Sequence, residues 1–402
     1  MASWPDLTEY HEAVQNPQRS FADSRLKKVE LELDRFGMPK PAAGGNAVVY
    51  KATEPFSLFH GISKWAIRCF LRPITDHAER YDAISKHLRS VHLPYSTKFV
   101  FQKKGILVQN EWLPIVKMAW VEGELFHMYL EKCLKKPKEM VALRGAWEQL
   151  VSELEAANVA HGDLQHGNII VNKGRLLLVD YDGMWVPKLK GRKATEGGHR
   201  AYQHPNRAED DYGLHLDRFS ALVIFLSIAA LEKKPSLWDD YNNGDNLIFV
   251  RDDFVNPGKT EIWDSLKKIE SPGVNFLVDT ILQAIQNNPM DSPQLELITN
   301  KLYQSNSTTT SKTVTISPIE HAFLLFKKAL YVSIEAILLL FKKALYVPPT
   351  SPSKTTTVPT KGTANIKKVS KVPPTAPSKT TTVPTKGTAL IKKVSKVPTW
   401  MN

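Results

Sequence analysis

The sequence contains 402 residues, of which 42% are hydrophobic and 23% are charged, and these proportions are ordinary for a soluble globular protein. The only cysteines, Cys69 and Cys133, are too few for a disulfide framework, which excludes the small secreted proteins that disulfides hold together. No secretory signal and no uninterrupted apolar run of about 18 residues is visible, so the sequence predicts a cytoplasmic protein without a membrane-spanning helix.

The net charge of +12 belongs to the C-terminal part of the chain. From Tyr303 to Asn402 there are 15 Lys, no Arg, no Asp and two Glu, which gives that part a net charge of +13 and leaves the remainder at −1. An interpretation as a nucleic-acid-binding protein on the basis of charge therefore applies only to the tail.

The clearest local patterns lie in the middle of the chain. Glu139–Asn158 predicts a long helix that leads into a loop, His161–Asn168. Ile169–Val171 then predicts a buried strand, and Arg175–Val179 predicts the next strand after an Asn-Lys-Gly turn. Asp180 follows the second apolar run directly, so its carboxylate is expected at the end of a strand.

Three side chains of this segment meet the needs of phosphoryl transfer from ATP. The reaction needs a carboxylate that orients the attacking hydroxyl and accepts its proton, and it needs hard oxygen ligands for Mg²⁺. Asp163 lies five residues before Asn168, so one loop can present a base and an amide ligand to the same cleft. A surface hairpin with capping Asp and Asn residues is the alternative. The combination favours a phosphotransferase with Asp163 as the base and with Asn168 and Asp180 as Mg²⁺ ligands.

Two repeats follow in the C-terminal part. Leu324–Val332 recurs letter for letter as Leu339–Val347, and each copy predicts an amphipathic helix with a Lys pair on its polar side. Together with the Ser/Thr-rich stretch before them, these copies form a predicted linker region, 303–347.

The second repeat pairs Pro348–Val372 with Pro373–Val397 and is rich in Pro, Thr and Lys. Such a composition cannot bury enough apolar surface to offset the entropy of ordering, so 348–402 is predicted to be a disordered basic tail. A solvated spacer is the favoured interpretation, and contact with an acidic surface is the alternative. The Trp residues are not interleaved with basic residues, so no nucleic-acid site is predicted.

Several motifs resemble the protein kinase superfamily. His161-Gly162-Asp163 resembles the family's His-Arg-Asp, and Asp180-Tyr181-Asp182 stands where the family has Asp-Phe-Gly. Gly198–Pro205 resembles the end of an activation segment, and Leu216–Val223 resembles the buried helix whose Asp, here Asp217, holds the catalytic loop. The combination resembles a bacterial family of kinase-like proteins with HGDLQHGN, DYDG and GHxxYQHP motifs. His-Gly-Asp also resembles the aminoglycoside and choline phosphotransferases, which leaves a small-molecule acceptor open.

The resemblance implies a nucleotide site in the N-terminal half. Val48–Ala52 resembles the strand after the family's glycine-rich loop, so Gly44 and Gly45 are expected to let backbone N–H groups approach a phosphate. Lys64–Phe70 resembles the family's third strand and puts Arg68 where the family has its phosphate-anchoring Lys.

Arg68 is the largest departure from the family pattern, because a guanidinium is longer and planar where an ammonium is a compact charge. Either Arg68 binds the phosphates directly, or Lys51 substitutes for it, or activity is lost. Glu79 is the only Glu in the helix expected between Thr75 and Leu88, and it is the implied partner of Arg68, although it lies closer in sequence than the family spacing.

The implied adenine pocket lies further along the chain. Pro114–Gly123 resembles the family's fifth strand and hinge. By this resemblance Met118 borders the pocket, and the backbone groups of Ala119 and Val121 bind the base.

The sequence therefore predicts an α+β, two-lobed protein-kinase-like fold with a disordered basic C-terminal tail. An N-terminal extension, 1–35, precedes a kinase-like domain, 36–302, whose small β-rich N-lobe spans about 36–121 and whose helical C-lobe spans about 122–302. The predicted function is ATP- and Mg²⁺-dependent transfer to Ser or Thr of a protein substrate. A nucleotide-binding pseudokinase or scaffold and a small-molecule kinase are the alternatives.

Overall fold

The computed structural model describes residues 4–44, 46–57, 61–73 and 76–309. These residues form a β-rich N-terminal region followed by a helical C-terminal region. The strands are β1 Glu30–Leu31, β2 Pro41–Ala43, β3 Ala47–Ser57, β4 Gly61–Phe70, β5 Phe99–Val108, β6 Glu111–Ala119, β7 Glu124–Leu125, β8 Ile169–Asn172 and β9 Arg175–Leu178. The α-helices are α1 Leu7–Val14, α2 Pro17–Ser20, α3 His77–Val91, α4 Phe126–Cys133, α5 Pro137–Ala156, α6 Arg218–Lys233, α7 Leu237–Tyr241, α8 Arg251–Val255, α9 Glu261–Lys267, α10 Pro272–Gln286 and α11 Leu295–Thr309.

The N-terminal strands form one sheet in the order β1-β3-β4-β6-β5, and β2 joins it by pairing with β3. Alternate side chains of β3, namely Val48, Tyr50 and Ala52, are buried, as the two-residue period of a strand requires. Strand β4 lies between β3 and β6, and its Arg68 stands opposite Val49 on one side and Val116 on the other. Antiparallel partners on both sides therefore fix the backbone that carries Arg68.

The N-terminal segment covers one face of this sheet. Tyr10 and Val14 lie one turn apart in α1, and both are buried in the same apolar cluster as β3 and β4. The Trp4 indole N–H and the Tyr10 hydroxyl donate to the carbonyl of Phe70 at the end of β4. The segment that the sequence assigned to an extension, 1–35, thus shares its core with the β-rich region. An eight-residue helix is too short for its sequence pattern to show which surface it covers.

Helix α6 is the apolar centre of the helical region. It packs against α5 and α10, and the indole N–H of Trp147 in α5 donates to the Ala221 carbonyl at 3.1 Å. Within the described part of the chain, Leu214–Lys233 is the one helical stretch whose length and composition suit a membrane span, and 78% of its apolar window is buried inside the protein. The buried core helix of a globular domain has the same length and composition.

The secondary structure predicted around the loop His161–Asn168 is confirmed. The long helix is α5, and β8 and β9 form the expected hairpin, with Ile169 opposite Leu178. The Val179 N–H donates to the Asn168 carbonyl at 3.0 Å. The hairpin therefore brings the residue before β8 next to the residues after β9.

The helical region continues beyond residue 302, where the sequence placed its end. Helix α11 runs to Thr309. At the predicted boundary Leu302 is buried, and the Tyr303 hydroxyl is bonded to Glu148 and Arg144 of α5, so the core continues across it. The rest of the predicted linker, with both copies of its amphipathic segment, and the predicted disordered tail 348–402 lie outside the described residues.

Candidate functional site

The loop from His161 to Asn168 is held by a buried carboxylate. Asp217 lies just before α6, and its Oδ1 accepts the Gly162 N–H at 2.8 Å while its Oδ2 accepts the His161 N–H. Burial raises the pKa of Asp217, although His161 and the two N–H bonds oppose the shift. These bonds confirm the expectation that Asp217 holds this loop.

Gly162 is required by the packing of the loop. Its φ of +83° lies in the left-handed region, and a Cβ atom would lie 2.1 Å from the carbonyl oxygen of Gly183. The Gly162 carbonyl accepts a hydrogen bond of 2.8 Å from Arg207. The glycine of His-Gly-Asp is thus explained by local packing, so it carries less weight as evidence for a small-molecule acceptor.

Asp163 and Asn168 are joined within the loop. The Asn168 side-chain amide donates to Asp163 Oδ2 and to the Asp163 carbonyl, each at 2.9 Å. The other carboxylate oxygen, Oδ1, accepts the backbone N–H of His199 at 2.7 Å. Both carboxylate oxygens are therefore oriented by fixed donors, and the amide oxygen is the Asn168 atom that could bind a metal ion.

Asp180 follows β9 and adopts a conformation that L residues rarely use, with φ +65°. Its Oδ2 accepts a hydrogen bond of 2.9 Å from Arg68, while its Oδ1 is buried without a hydrogen-bond partner among the described residues. Burial raises the pKa of Asp180; Arg68 opposes this shift, and Asp182 and Asp163 add to it. A buried carboxylate oxygen without a partner is unfavourable, and a bound cation would satisfy it.

Arg68 reaches from β4 to two carboxylates. Its Nη1 donates to Asp180 and its Nη2 donates to Asp182, and only 14% of the Arg68 side chain is exposed. Burial opposes the charged form, but Asp180 and Asp182 raise the pKa of Arg68. The structure therefore brings Arg68 and Asp180 together, and phosphate binding by Arg68 stays a prediction.

Two other residues considered for the cation site lie elsewhere. Glu79 is 69% exposed and accepts a hydrogen bond of 2.7 Å from Arg192, and Lys51 binds Glu32 at 2.7 Å. The structure does not bring Glu79 and Arg68 together, because Glu79 lies on the exposed side of the first turn of α3.

Two residues of the site were missed by the sequence analysis. Asp182 Oδ2 accepts from Arg68, and Asp182 Oδ1 accepts from the hydroxyl of Tyr81 in α3. Burial acts to raise the pKa of Asp182, but Arg68 and the Tyr81 hydroxyl hold it below its usual value. One signal was available in the sequence, because Asp182 replaces the expected glycine in a chain where Arg68 replaces the expected lysine.

Glu196 is a third unpredicted residue of the site and its second unpredicted carboxyl group. Its Oε2 accepts a hydrogen bond of 3.2 Å from Asn46, which links the segment before Gly198 to the loop between β2 and β3. Burial, followed by the negative charge of three nearby aspartates, raises the pKa of Glu196 to about 8. Most Glu196 side chains therefore carry a proton at pH 7, which limits repulsion among the four carboxyl groups.

The predicted glycine-rich loop is a short turn between β2 and β3. The Gly44 N–H donates to the Ala47 carbonyl at 2.9 Å, and Asn46 accepts the Leu71 N–H at 2.9 Å. Gly45 lies outside the described residues. The turn reaches the site through Asn46 and Glu196, and phosphate contact at Gly44 stays a prediction.

The predicted hinge lies at the end of β6. Met118 is buried in the core, and the N–H of Ala119 donates to the Lys98 carbonyl at 2.8 Å. The Ala119 carbonyl accepts the Thr97 hydroxyl at 3.2 Å. Both backbone groups of Ala119 are thus engaged within the chain, so Val121 is the predicted hinge residue that we retain as the contact for a base.

Asp180 and Asn168 fit Mg²⁺ by the chemistry of their donor atoms. They offer a carboxylate oxygen without a partner and an amide oxygen, and both are hard ligands. Among the described residues, no group of three or more His, Cys, Asp and Glu side chains could hold a metal ion. Mg²⁺ is usually bound by one or two carboxylates together with water and substrate phosphates, so a small ligand set suits a metal that arrives with ATP.

No family model and no curated protein matches this chain. Among solved structures, the kinase PK-1 of Cydia pomonella granulovirus is similar at 18% sequence identity and a TM-score of 0.46, over 68% of this chain and 93% of that chain. A likeness of this degree assigns neither a family nor an activity to the chain.

Proposed function

We propose that this chain is a phosphotransferase of the protein-kinase type that uses ATP and Mg²⁺ and acts on Ser or Thr of a protein. One observation carries the proposal: Asp163 and Asn168 are hydrogen-bonded to each other just before the β8–β9 hairpin, and Asp180, just after it, is paired with the buried cation Arg68. Phosphoryl transfer requires a base, oxygen ligands for metal and a cation near the phosphates.

Each side chain has a defined role in this proposal. Asp163, oriented by Asn168 and His199, accepts a hydrogen bond from the acceptor hydroxyl and takes its proton. Asp180 and Asn168 would hold Mg²⁺, which when bound neutralises phosphate charge. Arg68 supplies a second positive charge next to Asp180. We place the activity in the cytoplasm, where a protein with two buried thiols stays reduced.

A nucleotide-binding module without turnover is the second candidate, and the ion pair between Arg68 and Asp180 favours it. That pair occupies one of the two oxygens of the proposed metal ligand. If the pair persists in the presence of ATP, the nucleotide can bind while Mg²⁺ is kept out of its catalytic position.

Label transfer from ATP tests the proposal. The purified protein is incubated with γ-labelled ATP and Mg²⁺, once with a protein mixture and once with a mixture of hydroxylated small molecules. Asp163→Asn keeps the shape of the base and removes its proton affinity, so we expect a loss of at least about a hundredfold in rate. Asp82→Asn, which alters an exposed carboxylate of α3, is the matched control and should behave as the wild type.

The outcomes separate the candidates. Label on Ser or Thr of protein in the wild type and the control, but not in Asp163→Asn, supports a protein kinase. Label only on small molecules overturns the protein acceptor, and ATP binding without any transfer favours the module without turnover. Undiminished transfer by Asp163→Asn contradicts the assignment of the base.

A further inference from the structure

A continuous chain of hydrogen bonds joins helix α3 to the proposed metal ligand. The hydroxyl of Tyr81 donates to Asp182 Oδ1, and Arg68 Nη2 donates to Asp182 Oδ2. The other end of the Arg68 fork, Nη1, donates to Asp180 at 2.9 Å. Tyr81 and the Asp182 side chain are both 2% exposed, so solvent does not compete for the bond between them.

The chain of bonds explains how a buried cation is compensated without an acid from α3. Glu79, the acid that the sequence offers there, is exposed and bound to Arg192. The negative charge comes instead from the loop after β9, through Asp182, and α3 contributes the neutral hydroxyl of Tyr81. The carboxylates that compensate Arg68 therefore come from the loop after β9 and not from the helix.

The planar fork of Arg68 is what allows this arrangement. Its two terminal nitrogens bind different carboxylates, one on Asp180 and one on Asp182. A lysine is a point charge on a flexible stem and lacks the fixed pair of donor directions that spans two such groups. If Asp180 held a metal ion instead of Arg68, Nη2 could stay on Asp182 and Nη1 would be available for a phosphate oxygen.

We infer that Asp182 and Tyr81 are positioning residues, with Asp182 holding the Arg68 guanidinium in place for the phosphates of ATP and Tyr81 fixing Asp182 to α3. This inference rests on the proposed function in so far as ATP is the ligand. Neither residue contacts the reacting groups, so both act through Arg68.

A double-mutant cycle measured by ATP binding tests the inference. The proteins are the wild type, Asp182→Asn, Arg68→Met and the double variant, with Asp82→Asn as the matched control on α3. The dissociation constant of ATP with Mg²⁺ is measured by calorimetry. We expect Asp182→Asn to weaken binding about tenfold in the wild-type background and less than about twofold in the Arg68→Met background, because the residue acts only through Arg68. The control should bind as the wild type does.

Tyr81→Phe provides a second test that removes only a hydroxyl. It should weaken ATP binding by about threefold, and it is the decisive variant if Asp182→Asn does not fold. In the protein without nucleotide, Tyr81→Phe should also speed hydrogen exchange of the buried amides of α3, whereas Asp82→Asn should not.

The results distinguish this inference from the proposed function. Wild-type affinity in both Asp182→Asn and Tyr81→Phe overturns the inference, and so does an equal loss from Asp182→Asn with and without Arg68. If ATP binds and the coupling between Asp182 and Arg68 is as expected, but the wild type transfers no phosphoryl group, the proposed activity is contradicted and the inference is still supported.

Discussion

The two sides of the candidate site are held by different kinds of bonds. On the helical side, Asp217 holds the loop His161–Asn168 by accepting two of its backbone N–H groups, and backbone bonds of the hairpin place Asp180 beside Asn168. On the sheet side, Arg68 is placed by ion pairs with Asp180 and Asp182. The donors to Asp217 are backbone N–H groups that stay with the loop, whereas a cation held by two carboxylates can exchange one of them for another partner. We therefore expect a preformed helical side and a sheet side that adjusts when a ligand binds.

The largest loss of stability is expected on the sheet side, when the ion pairs of Arg68 are broken. Arg68→Met leaves Asp182 buried without its cation, and breaking a buried pair in this way costs about 3–5 kcal/mol of the free energy of unfolding. Urea unfolding at pH 7 measures the loss. Arg192→Met breaks more accessible ion pairs, one with the partly exposed Asp76 and one with the exposed Glu79, and should cause a much smaller loss. Equal losses in the two variants would contradict the buried-pair account.

The next largest loss of stability is expected on the helical side, when the carboxylate of Asp217 is removed. Asp217→Ala removes the acceptor of two buried N–H groups, at a cost of about 2–4 kcal/mol in the free energy of unfolding. Hydrogen exchange at Gly162 should speed up together with this loss. Asp279→Ala, at an exposed position of α10, is the control and should stay within about 0.5 kcal/mol of the wild type. A loss no larger than that of the control would show that the loop is held by other contacts.

A smaller effect on the free energy of unfolding is expected from a change of pH. The group responsible is Glu196, which accepts a hydrogen bond from Asn46 and so joins the two sides. Its pKa rises from 4.5 to about 8 on folding, so the folded protein binds this proton more tightly than the unfolded chain. The stabilisation is complete below pH 4.5 and is lost as the pH rises towards about 8, by about 1–3 kcal/mol after allowance for partial exposure. Glu196→Gln should flatten this part of the pH profile of urea unfolding. The same slope in variant and wild type would rule out this group as its cause.

The smallest effect is expected at Glu79. Because this side chain is exposed and bound to Arg192, Glu79→Gln should change the dissociation constant of ATP by less than about twofold. Calorimetry beside Asp182→Asn gives the direct comparison. A tenfold loss in Glu79→Gln would restore the pairing of Arg68 with Glu79 that the sequence analysis expected.

The same difference between the two sides explains what could be predicted from the sequence. Asp163 and Asn168 are five residues apart, and the hairpin that carries Asp180 is a local structure, so spacing alone brings them together. The bond between Tyr81 and Asp182 spans 101 residues and has no periodic signature. The one sign of this bond in the sequence is that Asp182 stands where the family pattern has glycine.

Two further features of the fold depended on tertiary contacts. The apolar face of α1 has too few residues to show that it covers the sheet, although Tyr10 and Val14 form part of the core. Glu196 has no motif of its own and enters the site only because the segment before Gly198 meets Asn46. The sequence therefore predicted the local parts of the site and, through the family resemblance, the contact of Asp217 with the loop. The contacts of Tyr81, Asp182 and Glu196 had to be seen in the structure.

The most direct test of the account is whether its two sides meet at a site for ATP with Mg²⁺. Calorimetry of ATP binding with and without Mg²⁺ is compared for the wild type and Asp180→Asn. We expect Mg²⁺ to tighten ATP binding by the wild type at least about tenfold, and to have little effect in Asp180→Asn, because the variant lacks the charged oxygen that would bind the metal. ATP affinity in the wild type that is indifferent to Mg²⁺, or a full Mg²⁺ effect in Asp180→Asn, would contradict the account.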